Sequence, residues 1–141
     1  PTHKIMRISL GVGSRLPAYC TSMGRLLLAD LGEQELHARL EASTLEAFTK
    51  HTVTDIDALL AKVAQARRQG WCLVNQELEE GLVSIAAPIV DRAGRTVAAL
   101  NISGQANRNS AEMMRGQLLP RLLAATQLVS QLLRASSRLS L

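Results

Sequence analysis

The stretch LVSIAAPIVDRAGRTVAALNISG, residues 82–104, decides the fold of this chain. Two runs rich in β-branched and small apolar residues flank a turn sequence, Asp91 to Gly94, and this pattern predicts an antiparallel β-hairpin. A four-residue loop would set the register of the two strands. The paired positions are then Val90 with Arg95, Pro88 with Val97, Ala86 with Ala99, and Ser84 with Asn101.

Side chains alternate between the two faces of the predicted hairpin, with a period of two residues. On one face, the first strand carries residues that are typical of a core: Val83, Ile85, Ala87 and Ile89. The opposite face carries smaller and more polar side chains from both strands: Ser84, Ala86, Pro88, Val90, Val97, Ala99, Asn101 and Ser103.

The second face has two interpretations. A core must reach close packing, so small side chains with a few convergent polar groups indicate the floor of a pocket instead. Ser84, Asn101 and Ser103 are then candidate ligand contacts. A helix lying close against the sheet would favour the same small residues, and a bulge at Gly94 would slip the register by one residue and separate the three.

Three helices are predicted before the hairpin. The first covers about residues 22–31, after Pro17 breaks the chain, and a shorter one covers about 33–41. The third, in TDIDALLAKVAQARRQG at 54–70, is the clearest. Thr54 is typical of its N-cap and Gly70 of its C-terminal end.

The two ends of the chain have patterns of their own. KIMRISLGVGS at 4–14 predicts a strand that enters a loop, and its glycines lack the spacing of a dinucleotide-binding fingerprint. The last helix begins near Ser110, and Pro120 should kink it or mark a late start. A seam at alternating spacings of four and three favours a core contact and a dimer contact equally: Leu118, Leu122, Ala125, Val129 and Leu132.

The segment AYCTSMG, residues 18–24, places three adjacent polar residues at the start of an apolar helix. A nucleophilic Cys20 would need a base within hydrogen-bond reach, and nothing in the sequence places a histidine there. Ser22 lacks the GxSxG elbow of a serine nucleophile. Thr21 or Ser22 is therefore expected to cap the helix, whose unpaired N–H groups can still hold a carboxylate.

Composition excludes several classes of function. The chain of 141 residues is long enough for one domain with a core. Tyr19, Phe48 and Trp71 are its only aromatic residues, which argues against base stacking on single-stranded nucleic acid. The net charge is +4, but the basic residues are scattered, so a solvated basic surface is expected rather than a nucleic-acid groove.

Cysteine and histidine spacing argues against metal and disulfide sites. Cys20 and Cys72 form no CxxC pair, and His3, His37 and His51 are too far apart in sequence for a helical ligand pair. No signal peptide and no membrane-spanning run are visible, so we expect a reduced, cytoplasmic protein without cofactor. The chain opens without an initiator Met, directly in a predicted strand, and we expect it to be a fragment of a longer protein.

Two long segments resemble the effector-binding domain of IclR-type bacterial transcription regulators. They are GSRLPAYCTSMGRLLLADL at 13–31 and GWCLVNQELEEGLVSIAAPIVDRAGRTVAALNISGQANR at 70–108, and the resemblance covers residues 4 to about 133. GSRLPAYCTSMGR is similar in particular to the PcaR/PcaU/PobR subgroup, which regulates aromatic-acid and β-ketoadipate catabolism. The matching positions are Gly24, Gly70, Glu77, Glu79, Gly81, Ala86, Ala87, Pro88, Asp91, Gly94, Ser103, Gly104 and Arg108.

The resemblance implies a single GAF-like α/β (α+β) domain over residues 1–141, with an antiparallel sheet flanked by helices. It further implies that the domain binds a small organic acid, associates with itself as a dimer or tetramer, and reaches DNA only through a winged helix-turn-helix outside this chain. The family's ligand lies between the polar loop that opens the first helix and one face of the sheet. The corresponding positions here are Ser22, Met23, Val74, Ser84, Asn101 and Ser103.

Three positions depart from the family pattern. Arg25 replaces the usual Lys, Val74 stands where many members have Asp, and Asn101 stands where many have Ser. The last two changes alter polar contacts to the ligand, so we expect the ligand not to be a small 2-oxo acid. Two other functions remain open, an enzyme that uses Cys20 and a pure oligomerisation module.

Overall fold

The computed structural model describes the backbone of residues 10–139 and the side chains of residues 10–136. The predicted strand at 4–10 lies outside this range except for Leu10. Among the described residues, no helix is long and apolar enough to cross a membrane. The elements, in chain order, are α1 (Ser22–Ala29), α2 (Glu33–Ala42), α3 (Ile56–Gln69), β1 (Cys72–Asn75), β2 (Leu82–Val90), β3 (Thr96–Gln105), α4 (Ala111–Met113), a π-helical turn (Met114–Leu118) and α5 (Leu119–Leu139).

The three strands form an antiparallel sheet in the order β1-β2-β3. One face packs on the C-terminal helical segment, where Val83, Ile85 and Ala87 meet Met114 and Leu122. The other face packs on α1 and α3 through a second apolar cluster: Leu26, Ala66, Cys72, Val74 and Ala86. An antiparallel sheet between helices confirms the predicted α+β class.

The predicted hairpin register is wrong by two residues over most of its length. The Asp91 N–H donates to the Arg95 carbonyl at 2.9 Å, so the loop has three residues and ends on Gly94 at φ 83°. A bulge follows, because Ile89 pairs with Ala98 while Val90 pairs with Thr96. The resulting pairs are Ser84 with Ser103, Ala86 with Asn101, and Pro88 with Ala99.

The three-residue loop and the bulge together leave each side chain on the face of the sheet that the sequence predicts. Each slips the register by one residue, and a total slip of two returns every side chain to its original face because the side-chain period is two. Ser84, Asn101 and Ser103 therefore still share a face, as the sequence predicted. A single bulge would have separated them.

Asp30, which caps the C-terminus of α1, forms hydrogen bonds with the hairpin beside this bulge. Its carboxylate accepts hydrogen bonds from Arg95 Nε at 3.0 Å and from the Thr96 N–H at 3.2 Å. Burial raises the pKa of Asp30, but these hydrogen bonds and the Arg95 charge outweigh burial, so the pKa lies below the usual value for an aspartate. The carboxylate therefore ties the first helix to the hairpin.

Asp30→Asn is expected to lower the melting temperature at neutral pH by roughly 3 °C. A carboxyl whose pKa is depressed in the folded state stabilises above its unfolded pKa of about 3.9, and this stabilisation is lost as the pH falls through the folded pKa. The difference from the wild type should therefore shrink as the pH falls below about 4. Thermal melts across this pH range measure it, and a difference independent of pH would show that packing, not charge, is lost.

The capping residues of the helices are those that the sequence predicts, with one exception. Thr21 caps α1, since its hydroxyl accepts the Gly24 N–H at 3.2 Å, and Gly70 ends α3 at φ 77°. The N-cap of α3 is Asp55, not Thr54, because the Asp55 carboxylate accepts the Ala58 N–H at 2.9 Å. A carboxylate competes well for this position because it carries the charge that the helix N-terminus favours.

Gly24 allows α1 to lie directly against the loop that precedes it. A Cβ on Gly24 would lie 2.5 Å from the Ala18 carbonyl oxygen and closer still to the Ala18 Cα. Backbone atoms cannot move aside as a flexible side chain can. Gly24→Ala is therefore expected to lower the free energy of unfolding by about 1–3 kcal/mol, although the same change favours an ordinary helix. Chemical denaturation measures this; a more stable variant would contradict the contact.

The C-terminal helical segment contains the π-helical turn just before Pro120. A proline in a regular α-helix clashes with the carbonyl four residues earlier, here Gly116, and the wider turn accounts for its tolerance. The predicted core contact is confirmed for one part of the seam only, and the predicted dimer contact stays a prediction. Leu122 is buried in the core, whereas Leu132 is 61% exposed.

Candidate ligand-binding site

A cavity of about 250 Å³ opens between the start of α1, the 76–81 loop and the end of the sheet where β2 begins. Five of the six residues predicted from the sequence line it: Ser22, Met23, Ser84, Asn101 and Ser103. Thr21 and four leucines complete the lining: Leu10, Leu16, Leu78 and Leu82. The cavity therefore combines an apolar wall with a cluster of small polar groups.

The polar groups of the cavity form two bonded pairs. Ser22 Oγ lies 2.8 Å from Ser84 Oγ and joins α1 to β2. Asn101 Nδ2 donates to Ser103 Oγ at 3.0 Å along β3. A hydroxyl has one donor and two acceptor positions, and an amide has a carbonyl oxygen besides its two donors. Each pair therefore keeps hydrogen-bonding capacity for a bound molecule.

The start of α1 adds backbone donors to this wall. Thr21 Oγ1 accepts the Gly24 N–H and donates to the Pro17 carbonyl at 2.9 Å, which holds the loop against the helix. The N–H groups of Ser22 and Met23 belong to the first turn and have no acceptor within the helix. Together with the positive end of the helix dipole, they favour an anionic group such as a carboxylate.

Val74 does not line the cavity. It pairs with Ser84 across the sheet but is buried against Leu26, Cys72 and Ala86. Ala86 and Ala99 lie under α1 in the same cluster, so a helix does cover the middle of this face. Both interpretations of the small-residue face therefore hold, each over a different part of the sheet.

A buried ion pair behind the cavity was missed by the sequence analysis. Arg25, 1% exposed, donates from two nitrogens to the Glu77 carboxylate at 2.6 and 3.0 Å, and its Nε donates to the Tyr19 carbonyl at 2.8 Å. The sequence of α1 does indicate that Arg25 is buried, because it lies one turn before Leu28 and Ala29 and shares their buried face. A buried guanidinium requires a buried acid.

Glu77 also positions the 76–81 loop, which supplies Leu78 to the cavity wall. The Glu77 carboxylate accepts the Val53 N–H at 3.1 Å, and the Glu77 carbonyl accepts the Thr52 hydroxyl at 2.5 Å. Gln76 has a left-handed backbone at φ 60°, and its side chain accepts the Gly81 N–H at 2.9 Å. The loop is therefore held at both ends, and the ion pair fixes it relative to α1.

Cys20 is not available as a nucleophile. Its side chain is fully buried, and burial, together with the nearby Glu77 charge, raises the pKa of the thiol to about 11. The thiol therefore stays protonated at neutral pH, where a nucleophilic cysteine must be a thiolate. His37 and His51 are exposed on the surface, and the described residues contain no group of three side chains suited to a metal ion.

These features define a class of protein, an α+β domain with a small cavity between an apolar wall and a cluster of polar groups. Comparison with known proteins gives the family. Residues 1–131 match the family described as bacterial transcriptional regulator IclR C-terminal. The chain therefore belongs to the IclR family of bacterial transcription regulators, of which it is the effector-binding domain, as the sequence predicted.

The relatives of this chain include two regulators with named targets. It is 47% identical to the Pca regulon regulatory protein of Pseudomonas putida, over 88% of this chain and 43% of that protein. It is 35% identical to the p-hydroxybenzoate hydroxylase transcriptional activator of Acinetobacter baylyi, over 85% of this chain and 45% of that protein. The chain thus spans a little under half the length of these two relatives.

A solved relative has a known ligand. The inducer-binding domain of the PobR transcription factor from Acinetobacter, a double mutant in complex with 3-hydroxybenzoic acid, matches with a TM-score of 0.82 and 33% identity. The match covers 88% of this chain and 73% of that one. This similarity extends the family assignment from the sequence to the fold.

Proposed function

We propose that this domain senses a small aromatic or related organic acid in the cavity at the start of α1. The observation that carries the proposal is the composition of the cavity, in which an apolar wall of four leucines faces a cluster of hydroxyl, amide and N–H groups. A cavity of about 150 Å³ is enough for benzene, so 250 Å³ suits a ring with a carboxylate. The ligand named for the PobR domain has this chemistry.

The groups of the cavity suggest how such an acid would lie. Its carboxylate would accept from the Ser22 and Met23 N–H groups, where the helix dipole favours negative charge. Its ring would pack on Leu16, Leu78 and Leu82. A ring hydroxyl or second carboxylate would then meet the Ser84, Asn101 and Ser103 cluster, which has donors and acceptors to spare.

A thermal-shift screen of the 141-residue chain tests this function. A ligand that binds only the folded state raises the melting temperature by an amount that grows with RT ln(1 + [L]/Kd). We expect hydroxybenzoic acids or β-ketoadipate to raise it and pyruvate, a small 2-oxo acid, to leave it unchanged. The proposal fails if none of these acids stabilises the chain, or if only pyruvate does.

We further propose that the whole protein controls genes of aromatic-acid or β-ketoadipate catabolism and acts in the cytoplasm on DNA. Its DNA contacts would come from a winged helix-turn-helix outside this chain. Ligand binding would shift the population between two arrangements of the protein, in proportion to its different affinity for each. The regulatory roles named for the Pseudomonas and Acinetobacter relatives support this assignment.

Self-association is proposed to use the outer part of α5. Leu128, Val129 and Leu132 are exposed together on this helix, and contiguous apolar surface commonly marks an interface. Leu132→Asp is expected to convert a dimer or tetramer to a monomer in sedimentation experiments, with its melting temperature at low concentration unchanged because the side chain is exposed. A wild-type chain that is monomeric at high concentration would refute this interface.

A further inference from the structure

A second cavity of about 410 Å³ runs along the outer edge of β1, and it shares no lining residue with the cavity described above. We call it the β1 groove. One wall is formed by α3 and the other by the segment at α4 and the π-helical turn. Its lining includes Lys62, Trp71, Leu73, Asn75, Glu77 and Arg115.

The backbone of β1 is open toward this groove. The Gln76 N–H donates to the Leu82 carbonyl at 2.8 Å and extends the pairing of β1 with β2, so alternate residues before it also face β2. Leu73 and Asn75 therefore direct their N–H and C=O groups outward. Among the described strands, none lies on this side of β1. Such an edge is a template for another extended chain.

The open part of the edge is limited in length. The Trp71 carbonyl, just before β1, accepts a hydrogen bond from Gln69 Nε2 at 2.9 Å and is therefore occupied. Beyond it, the strand from Cys72 to Asn75 is about 13 Å long at the usual rise per residue. The edge thus suits a short extended segment of about four residues.

The groove carries uncompensated positive charge. Its only acid, Glu77, is fully engaged with Arg25. Lys62 and Arg115 stand on opposite walls, are exposed, and form no ion pair within the described part of the chain.

We propose that the β1 groove binds an extended acidic segment of a partner protein, which pairs with β1 as a fourth strand. The main chain of that segment forms hydrogen bonds with Leu73 and Asn75, which is the usual source of affinity in strand addition. Its acidic side chains lie beside Lys62 and Arg115. The half-buried ring of Trp71 provides an apolar contact at the end of the groove.

The test uses the full 141-residue chain and a capped six-residue peptide of alternating glutamate and valine. Trp71 is the only tryptophan, so its fluorescence reports directly on the groove. We expect saturable binding that weakens with salt. Lys62→Glu and Arg115→Glu should each weaken it by roughly fivefold. Arg121→Glu is the matched control, since Arg121 is exposed on α5 outside the groove, and it should bind with nearly wild-type affinity.

Two further probes separate strand addition from simple anion binding. The same peptide with every backbone amide N-methylated keeps its charge but has no main-chain N–H to donate to β1, and it should not bind. Glutarate has the carboxylates without the peptide backbone and should not compete. Equal binding of the methylated peptide, displacement by glutarate, or no binding of the original peptide would each overturn the proposal. The two cavities have no lining residue in common, so the outcome of the peptide experiment does not depend on the outcome of the acid screen.

Discussion

Glu77→Gln is expected to lower the free energy of unfolding by about 3–5 kcal/mol, because it leaves the Arg25 guanidinium buried without a counter-charge. Arg25 is almost fully buried and both of its terminal nitrogens bind Glu77, so the variant removes the only carboxylate that the described residues place beside this charge. For a domain of this size, the loss corresponds to a fall in melting temperature of roughly 10–15 °C. Chemical denaturation followed by circular dichroism measures the change.

Glu80→Gln is the matched control, because Glu80 is exposed in the same loop and makes the same change in charge. It should alter the free energy of unfolding by no more than about 0.5 kcal/mol. The double variant Arg25→Met/Glu77→Leu should recover most of the loss, since an apolar pair can replace a buried ion pair. Recovery should be incomplete, because the Tyr19 carbonyl and the Val53 N–H lose their partners.

The ion pair also bears on ligand binding. Arg25 lies on the helix that presents Ser22 and Met23, and Glu77 lies beside Leu78 in the loop that forms another wall of the cavity. Breaking the pair should therefore widen the site as well as destabilise the fold. If Glu77→Gln unfolds at nearly the wild-type denaturant concentration, the pair is not the main link between these walls.

Ser103→Trp is expected to abolish the rise in melting temperature that an acid ligand produces. Ser103 lines the cavity from the exposed end of β3, so an indole at this position would fill the space of the ligand without entering the core. At a ligand concentration of 100 times Kd, the wild type should gain about 2.7 kcal/mol, or roughly 6–10 °C. The variant should gain less than about 1 °C.

Two variants complete this experiment. Gln105→Trp places the same ring on the same strand, exposed but outside the cavity, and should respond to ligand like the wild type. Ser103→Ala removes only the hydroxyl and should retain part of the response. Ser22 is less suitable, because it is 2% exposed and bonded to Ser84, so a large residue there would disturb the fold. A full ligand response in Ser103→Trp would place the ligand elsewhere.

Local features of this protein were predictable because they depend on neighbouring residues. Gly70 ends a helix through its own backbone freedom, and Thr21 caps one through a bond to a residue three positions on. Asn101 and Ser103 share a face because they are two residues apart on one strand. The mistaken cap at Thr54 was also local, an error of one residue between two good capping side chains.

The hairpin register, in contrast, depends on residues that are far apart in the sequence. A four-residue loop and the observed three-residue loop with a bulge are both compatible with DRAG, and the choice is stabilised by Asp30, 66 positions before Thr96. Ser84, Asn101 and Ser103 still share a face, as predicted, only because two register shifts of one residue return each side chain to its original face. Val74 was placed in the site by resemblance, but its burial under α1 depends on the packing of three separate elements.

The sequence by itself determined the helices, the strands and which side chains of one strand share a face, because each depends on backbone preferences within a few residues. The tertiary structure alone decided the cavity, the β1 groove and the buried ion pair. Ser22 meets Ser84 across 62 positions, and Arg25 meets Glu77 across 52. Such contacts form only after loop closure and packing against the sheet, so their partners cannot be read from spacing along the chain.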